Sequence, residues 1–282
     1  MFVATTVSGV RARRSELDRT GARLAFVPTM GALHEGHLAL IRRGRELADE
    51  VWASVFVNPT QFAPGEDFDR YPRNLERDRE LLAEVGASVL FAPSLREIYP
   101  RPSATVVDLP ELSAGLCGAH RPGHFRGVAL VVAKLLNIVR PHVAVFGQKD
   151  WQQAAIVRRM ADDLSLDVRI EIHPTERESD GLARSSRNAY LAPEERRAAA
   201  VLHRALRKAA IAVESGERSG RALEEAVASE VADEPRARLQ YVAVVDPDTL
   251  APVATVRDRA VVALAVYVGA TRLIDNIRVE VP

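Results

Sequence analysis

The feature that most narrows the fold of this chain is an alternation. Between Leu24 and Ile172, short β-branched or apolar runs take turns with longer stretches of helical period. The runs are LAFV, VWASVFV, ASVLFA, HVAVF and DVRIEI. The stretches between them cover residues 36–49, 74–85, 127–139 and 151–164, each with apolar residues spaced by three and four. Runs this short, joined by helical crossovers, predict parallel strands, because parallel neighbours need long connections and lie buried on both faces. Four crossovers make an α/β doubly wound parallel sheet the natural architecture. After Pro174 the pattern changes to a charged, Ala-rich helical stretch from Pro193 to Ala232, then to LQYVAVVD and AVVALAVYV. That change predicts a second, smaller α+β domain, dividing the chain into 1–175 and 176–282.

Composition removes several classes of function. With 47% hydrophobic and 27% charged residues, the 282-residue chain has the balance of a globular protein with an ordinary core. Lys plus Arg equals Asp plus Glu at 38 each, so no net field exists to draw in nucleic acid, whereas a phosphate-bearing small molecule needs only a local basic pocket. Cys117 is the only cysteine. It excludes an intramolecular disulfide and an all-cysteine metal site, and it fits a reducing compartment. The amino terminus lacks the pattern of a signal peptide, and charges interrupt every apolar run. The expectation is a cytoplasmic protein with neither a membrane nor a nucleic-acid partner.

Each strand run is followed closely by Pro or Gly: Pro28, Asn58-Pro59, Pro93, Gly147 and Pro174. In open α/β sheets ligands sit at the carboxyl ends of the strands. The first polar cluster there is PTMGALHEGHLAL, from Pro28 to Leu40. Its Gly31 and Gly36 are spaced as in a Walker A loop, but His37-Leu38 replaces the Lys and the Ser or Thr that hold phosphate and metal. A G-x-G-x-x-G dinucleotide fingerprint is also missing. His34 and His37, three residues apart, share one face of the first turn of a helix, beside unpaired N–H groups and the positive end of the dipole. Imidazoles so placed can donate to a phosphoryl group. The spacing alone leaves helix capping and a metal pair open as well, although H-E-G-H is not the H-E-x-x-H zinc pattern.

His34-Glu35-Gly36-His37 resembles the HxGH signature of the nucleotidyltransferase superfamily, which includes the class I aminoacyl-tRNA synthetases. The longer string PTMGALHEGHL resembles the pantothenate synthetases, or pantoate–β-alanine ligases. The resemblance runs from about Phe26 to Ile277 and implies a Rossmann-like first domain with Met30, His34 and His37 at ATP.

Further clusters extend it. FVNPTQF places Gln61 at the next strand end, where its amide suits a hydroxy acid; a plain Asn58-Pro59 turn with Gln61 merely exposed is the alternative. The resemblance implies pantoate there. Asp78 stands where the family carries an acidic residue associated with the Mg2+ of ATP, but Arg77 precedes it where a second acid is common. Arg121-Pro122-Gly123-His124-Phe125-Arg126-Gly127 resembles a segment at the dimer and substrate side of the family's pocket, and Arg121 or His124 could equally be structural.

The string from Phe146 to Gln153 offers Gly147 for close backbone approach, Lys149 as a compact cation, Asp150 as a helix cap and Gln153 on the first helical turn. By resemblance Lys149 and Asp150 lie at ATP and Gln153 at pantoate, with Gln148 and Trp151 departing from the usual Glu and Tyr or Phe. In Asp180 to Asn188, the hydroxyls of Ser185 and Ser186 with Arg187 can wrap triphosphate oxygens; a plain turn is the alternative. The resemblance matches this loop to the lysine-serine motif of class I synthetases, while Glu176 and Arg184 depart from its usual apolar residues. The ending from Gly269 to Asn276 reads as structural.

Taken together, the expectation is one pocket, with the smaller domain closing over ATP. The implied enzyme is an AMP-forming ligase that condenses pantoate with β-alanine through a pantoyl adenylate, with His37, His34 and Lys149 as catalytic groups and a homodimer as the assembly. Two other readings remain open: a cytidylyl- or adenylyltransferase acting on a phosphate, and a nucleotide- or RNA-binding module derived from a synthetase.

Overall fold

The computed structural model describes residues 1–63 and 65–282. The chain forms two compact units. One contains Met1–Leu109, Arg121–Gly147 and Ile156–Pro174; the other contains Pro110–His120, Gln148–Ala155 and Thr175–Pro282.

The first unit is built on six parallel strands: β1 (Phe2–Ala4), β2 (Leu24–Thr29), β3 (Glu50–Val55), β4 (Val89–Phe91), β5 (Val143–Gly147) and β6 (Arg169–His173). Their spatial order is β1-β4-β3-β2-β5-β6, so the winding reverses at β2, which lies between β3 and β5. This is the doubly wound topology, and the reversal point is where such sheets leave a crevice beyond the strand ends. The five apolar runs are β2 to β6. Because the central strands are covered on both faces, Ala25, Phe26, Val27, Val51, Trp52 and Ala53 are all buried although their side chains alternate. Ala25, Val27, Ala53, Leu90 and Val145 pack with Leu40 and Ile41 of the helix Glu35–Leu47 and with Leu82 of the helix Leu75–Glu84.

Two features of this unit escape the periodicity. The three-residue strand β1 pairs with β4 at the sheet edge, and the helix Val7–Asp18 precedes β2. Thr6 caps that helix, its hydroxyl accepting from the Gly9 amide at 3.1 Å. The helix His124–Val139 begins after Gly123, whose φ is +79°, and ends at Arg140 in the left-handed region.

The second unit is α+β. Its antiparallel sheet runs β7 (Ala237–Val245), β8 (Arg259–Val268) and β9 (Thr271–Glu280). The helices Val201–Glu214 and Gly220–Ala232 bury Leu202, Leu206, Leu223 and Val227 against Val262, Leu264 and Val266 of β8. Among the described residues, no helix is long and apolar enough to cross a membrane.

Candidate active site

At the carboxyl end of β2 the chain turns through Gly31 and Ala32, both with positive φ, +82° and +52°. Only Gly adopts this conformation without cost, so Ala32 needs compensation. Asp78 supplies it: one carboxylate oxygen accepts from the Ala32 amide at 3.0 Å and the other from the Leu33 amide at 2.8 Å. A side chain at Gly31 would begin 2.8 Å from that carboxylate and 2.9 Å from Val55, which closes the position to anything larger. Asp78 is only 2% exposed, and burial pushes its carboxyl above the usual range even against the pull of the two amides.

This turn delivers His34 and His37 to the start of the helix Glu35–Leu47. His34 is the N-cap: its Nδ1 accepts from the Gly36 amide at 3.2 Å, and His37 Nδ1 accepts from the His34 amide at 3.4 Å. The rings lie 4.1 Å apart. The capping role left open by the spacing is therefore real, and it has a chemical consequence. A neutral imidazole that accepts at Nδ1 carries its proton on Nε2, so both rings hold the donor tautomer at the nitrogen remote from the helix.

Gln61 lies at the end of the turn Pro59–Gln61 that follows β3 and is 8% exposed. Its Oε1 accepts from Asn58 Nδ2 at 3.1 Å, and its Nε2 donates to Met30 Sδ at 3.1 Å. Asn58 also donates to the Gly127 carbonyl at 3.1 Å and accepts from the Tyr99 hydroxyl at 3.1 Å. Gly127 lies against the same turn, and a methyl there would overlap the Thr60 carbonyl. His124 Nδ1 is 2.7 Å from the Gln61 carbonyl; a carbonyl only accepts, so Nδ1 carries the proton and Nε2 can accept from Arg121 at 3.0 Å. Arg121 grips Glu66 with two bonds of 2.6 Å. Burial pushes the Glu66 carboxyl up, but the Arg121 bonds prevail and its pKa ends below the ordinary value. Arg121 and His124 thus act as supports of the Gln61 turn.

Gly147 ends β5, and no described atom lies within 4 Å of where a side chain would begin there. The chain then enters the second unit through the turn Gln148–Asp150. Lys149 is half-buried, with Nζ 3.9 Å from Asp150, and Gln153 is half-buried on the first turn of the helix Trp151–Asp163. Of the two departures in this string, Trp151 donates to the Pro247 carbonyl at 3.1 Å and Gln148 donates to Asn276 Oδ1 at 3.4 Å, while Gln152 bonds Leu112, Gly115 and the Cys117 amide.

The loop from Glu176 to Asn188 also belongs to this unit. Arg177 pairs with Ala183 in an antiparallel bridge, and the Arg184 amide donates to the Glu176 carbonyl at 2.9 Å. Arg196 bonds Asp180 at 2.6 Å and Glu178 at 2.9 Å, and Glu178 accepts from Asn188 at 3.1 Å. Arg184 adds its charge to the field at Glu178, whose carboxyl is held low chiefly by Arg196. Ser185 caps the turn Ser186–Tyr190 by accepting from the Arg187 amide at 3.3 Å, which leaves its O–H able to donate.

The structure thus brings Met30, His34, His37 and Gln61 to neighbouring strand ends in the first unit, and assigns Lys149, Asp150, Gln153, Glu176, Arg184, Ser185, Ser186 and Arg187 to the second. It places Asp78 beneath the histidine loop rather than on an open face. Sequence reasoning missed Tyr99 and the bond from Asn58 to Gln61; the IYP string around Tyr99 carries no signal that would have found it.

Comparison with known proteins agrees along the whole chain. The model of the family described as pantoate-beta-alanine ligase matches residues 2–278. The pantothenate synthetase of Heliobacterium modesticaldum is 53% identical over 281 residues, covering 100% of both chains. Among solved structures, the pantothenate synthetase of Thermus thermophilus superposes with a TM-score of 0.92 at 47% identity, covering 98% of this chain and 99% of that one. A pantoate-beta-alanine ligase from Francisella tularensis, solved in complex with β-γ ATP and β-alanine, gives 0.82 at 34% identity, covering 98% and 97%. With a family match from end to end and close relatives of the same length, the chain belongs to the pantoate–β-alanine ligase family of enzymes.

Proposed function

We propose that this enzyme condenses pantoate with β-alanine at the expense of ATP, through a pantoyl adenylate. The observation that carries the reading is the histidine pair, whose Nδ1 atoms are committed to the helix start so that Nε2 is the donating nitrogen. Family membership supports the overall reaction, and the Francisella relative was solved with ATP and β-alanine.

In the first step a pantoate carboxylate oxygen attacks the α-phosphorus; the new P–O bond forms as the α–β bridge breaks and pyrophosphate leaves. His37, with His34 beside it, donates to phosphoryl oxygens whose charge grows in the transition state. In the second step the neutral amine of β-alanine attacks the acyl carbon, the C–N bond forms, AMP departs and the amine proton is released. No protein nucleophile is required, so catalysis rests on positioning and charge stabilisation.

In this reading Gln61 and Gln153 bind pantoate, Lys149, Ser185, Ser186 and Arg187 hold phosphates, and Met30, Gly147, Asp150, Glu176 and Arg184 line the nucleotide. Homodimerisation rests on the family likeness, and a cytoplasmic setting on the single cysteine and the charge-interrupted apolar runs. Mg2+ belongs with ATP in the same scheme, but Asp78 is poorly placed for direct ligation: it is almost fully buried, and each of its oxygens already accepts from a backbone amide. Among the described residues no group of three or more His, Cys, Asp or Glu side chains could hold a metal.

The test is to combine the protein with ATP, Mg2+, pantoate and β-alanine and to follow AMP. Formation should require both acids, and pyrophosphate release should require pantoate alone. AMP that appears no faster with both acids than with ATP alone would sink the reading.

A further inference from the structure

The carboxyl-terminal strand holds both phosphate-associated segments of the second unit by two consecutive residues. Asn276 is almost fully buried on β9, and its Nδ2 gives one hydrogen to the Gln148 carbonyl and one to the Lys149 carbonyl, each at 2.9 Å. Its Oδ1 accepts from Gln148 Nε2 at 3.4 Å. An amide that donates to two successive carbonyls fixes the peptide plane between them, and with it the direction in which the Lys149 side chain leaves the backbone.

The neighbouring Asp275 carboxylate takes two bonds from Arg177, at 2.6 and 3.1 Å. Arg177 also donates to the Gly181 carbonyl at 3.0 Å, closing the root of the loop that continues into Ser185, Ser186 and Arg187. The strand itself is fixed, since Asp275 and Asn276 are in register with Leu264 and Ala263 of β8. Successive strand residues point to opposite faces, so β9 acts as a rigid spacer with one segment attached on each side.

We propose that Asn276 is a positioning residue for Lys149, and that Asp275 does the same for the loop carrying Ser185 to Arg187, so that β9 sets the geometry of the phosphate-binding groups. This inference rests on the reading of Lys149 as a phosphate ligand. Gln148 belongs to the same device: a Glu at that position, usual in the family, could not donate to Asn276 Oδ1.

The test uses the full-length enzyme, with pantoate-dependent pyrophosphate release and the KM values for ATP and β-alanine as readouts. Asn276→Asp keeps the shape but withdraws both donated hydrogens. It should slow pyrophosphate release by about a hundredfold and raise the KM for ATP, with the KM for β-alanine unchanged. In a Lys149→Ala background the same substitution should cost less than about threefold, because the group it positions is already gone. If Asn276→Asp does not fold, Gln148→Glu decides: it should shift the ATP KM in the same direction, by up to about tenfold, and lose that effect in the Lys149→Ala background. An unaffected rate in Lys149→Ala would overturn the phosphate reading and the positioning claim together. A slow Lys149→Ala enzyme with a normal Asn276→Asp enzyme, or effects that multiply in the double variant, would overturn the positioning claim alone.

Discussion

The loop from Met30 to His37 and the loop from Glu176 to Asn188 both serve phosphates in the proposed reading, yet they are held in different ways. The first is held chiefly by a buried carboxylate, Asp78, that bonds two backbone amides. The second is held largely by side-chain ion pairs: Arg177 with Asp275, and Arg196 with Glu178 and Asp180. A buried acceptor serving two amides is an all-or-none anchor, since losing it orphans both donors. Asp275 is buried, but the pairs of Arg196 with Glu178 and Asp180 are partly exposed, share the load and are individually weak. The first arrangement suits donors that must be fixed in advance. The second, spread over several pairs, also carries the departures at Glu176 and Arg184.

The largest effect should come from the group that the first loop presents. His37→Ala is expected to slow pyrophosphate release by roughly 10²–10³-fold while far-UV circular dichroism stays unchanged; a near-normal rate would leave the rigid loop without a catalytic purpose. Next comes its anchor. Asp78→Asn sets an amide against one of two backbone donors and should cost about 1–3 kcal/mol in denaturant unfolding, together with a loss of rate. If stability falls and the rate does not, the loop need not be fixed.

Across the comparison, Arg196→Gln should cost less, about 1 kcal/mol at neutral pH, because its pairs are partly exposed. Arg196 holds both Glu178 and Asp180 below their ordinary values of 4.5 and 3.8. Depressed carboxyls contribute stability above those values and lose it as the pH falls through their folded ones. The gap between the wild-type protein and the variant, measured by thermal unfolding, should therefore be full near neutrality and gone well below pH 3.8. A gap that persists in acid would show that packing, not charge, holds the loop. The smallest effect concerns salt. In about 1 M salt the Debye length shrinks to roughly 3 Å, so hydrogen exchange at the Leu182 and Arg184 amides should quicken while Ala32 and Leu33 keep their protection. Equal responses would erase the distinction.

The same contrast explains what could be read from residues alone. Strands β2 to β5 announce themselves because burial on both faces demands continuous apolar runs, and the edge strand β6 shows through the alternating Ile170 and Ile172. Strand β1 does not: it is three residues long, with Phe2 and Val3 exposed at the sheet edge. Strand β9 carries Asp275 and Asn276 in buried positions, where polar residues break the apolar signal. The residues proposed to bind substrates, His34, His37, Gln61, Lys149 and Ser185 to Arg187, stand in recognisable strings. Their anchors come from distant parts of the chain. Asp78 reaches Leu33 across 45 positions and Asn276 reaches Lys149 across 127, and no local spacing encodes such pairs. The resemblance associates Asp78 with the Mg2+ of ATP, and only tertiary burial shows that its oxygens hold the amides of Ala32 and Leu33.

One contact bears on how this enzyme could be altered. At Gly127 the helix His124–Val139 meets the Thr60 carbonyl with no room for a methyl group, and Asn58 ties the same glycine carbonyl to the amide of Gln61. Helix and turn therefore form one mechanical part. On the proposed reading of Gln61 as a pantoate ligand, an engineer who wishes to widen the acid specificity by substituting along the turn will have to redesign the helix start with it, since a library that varies either stretch alone leaves Gln61 without its aim.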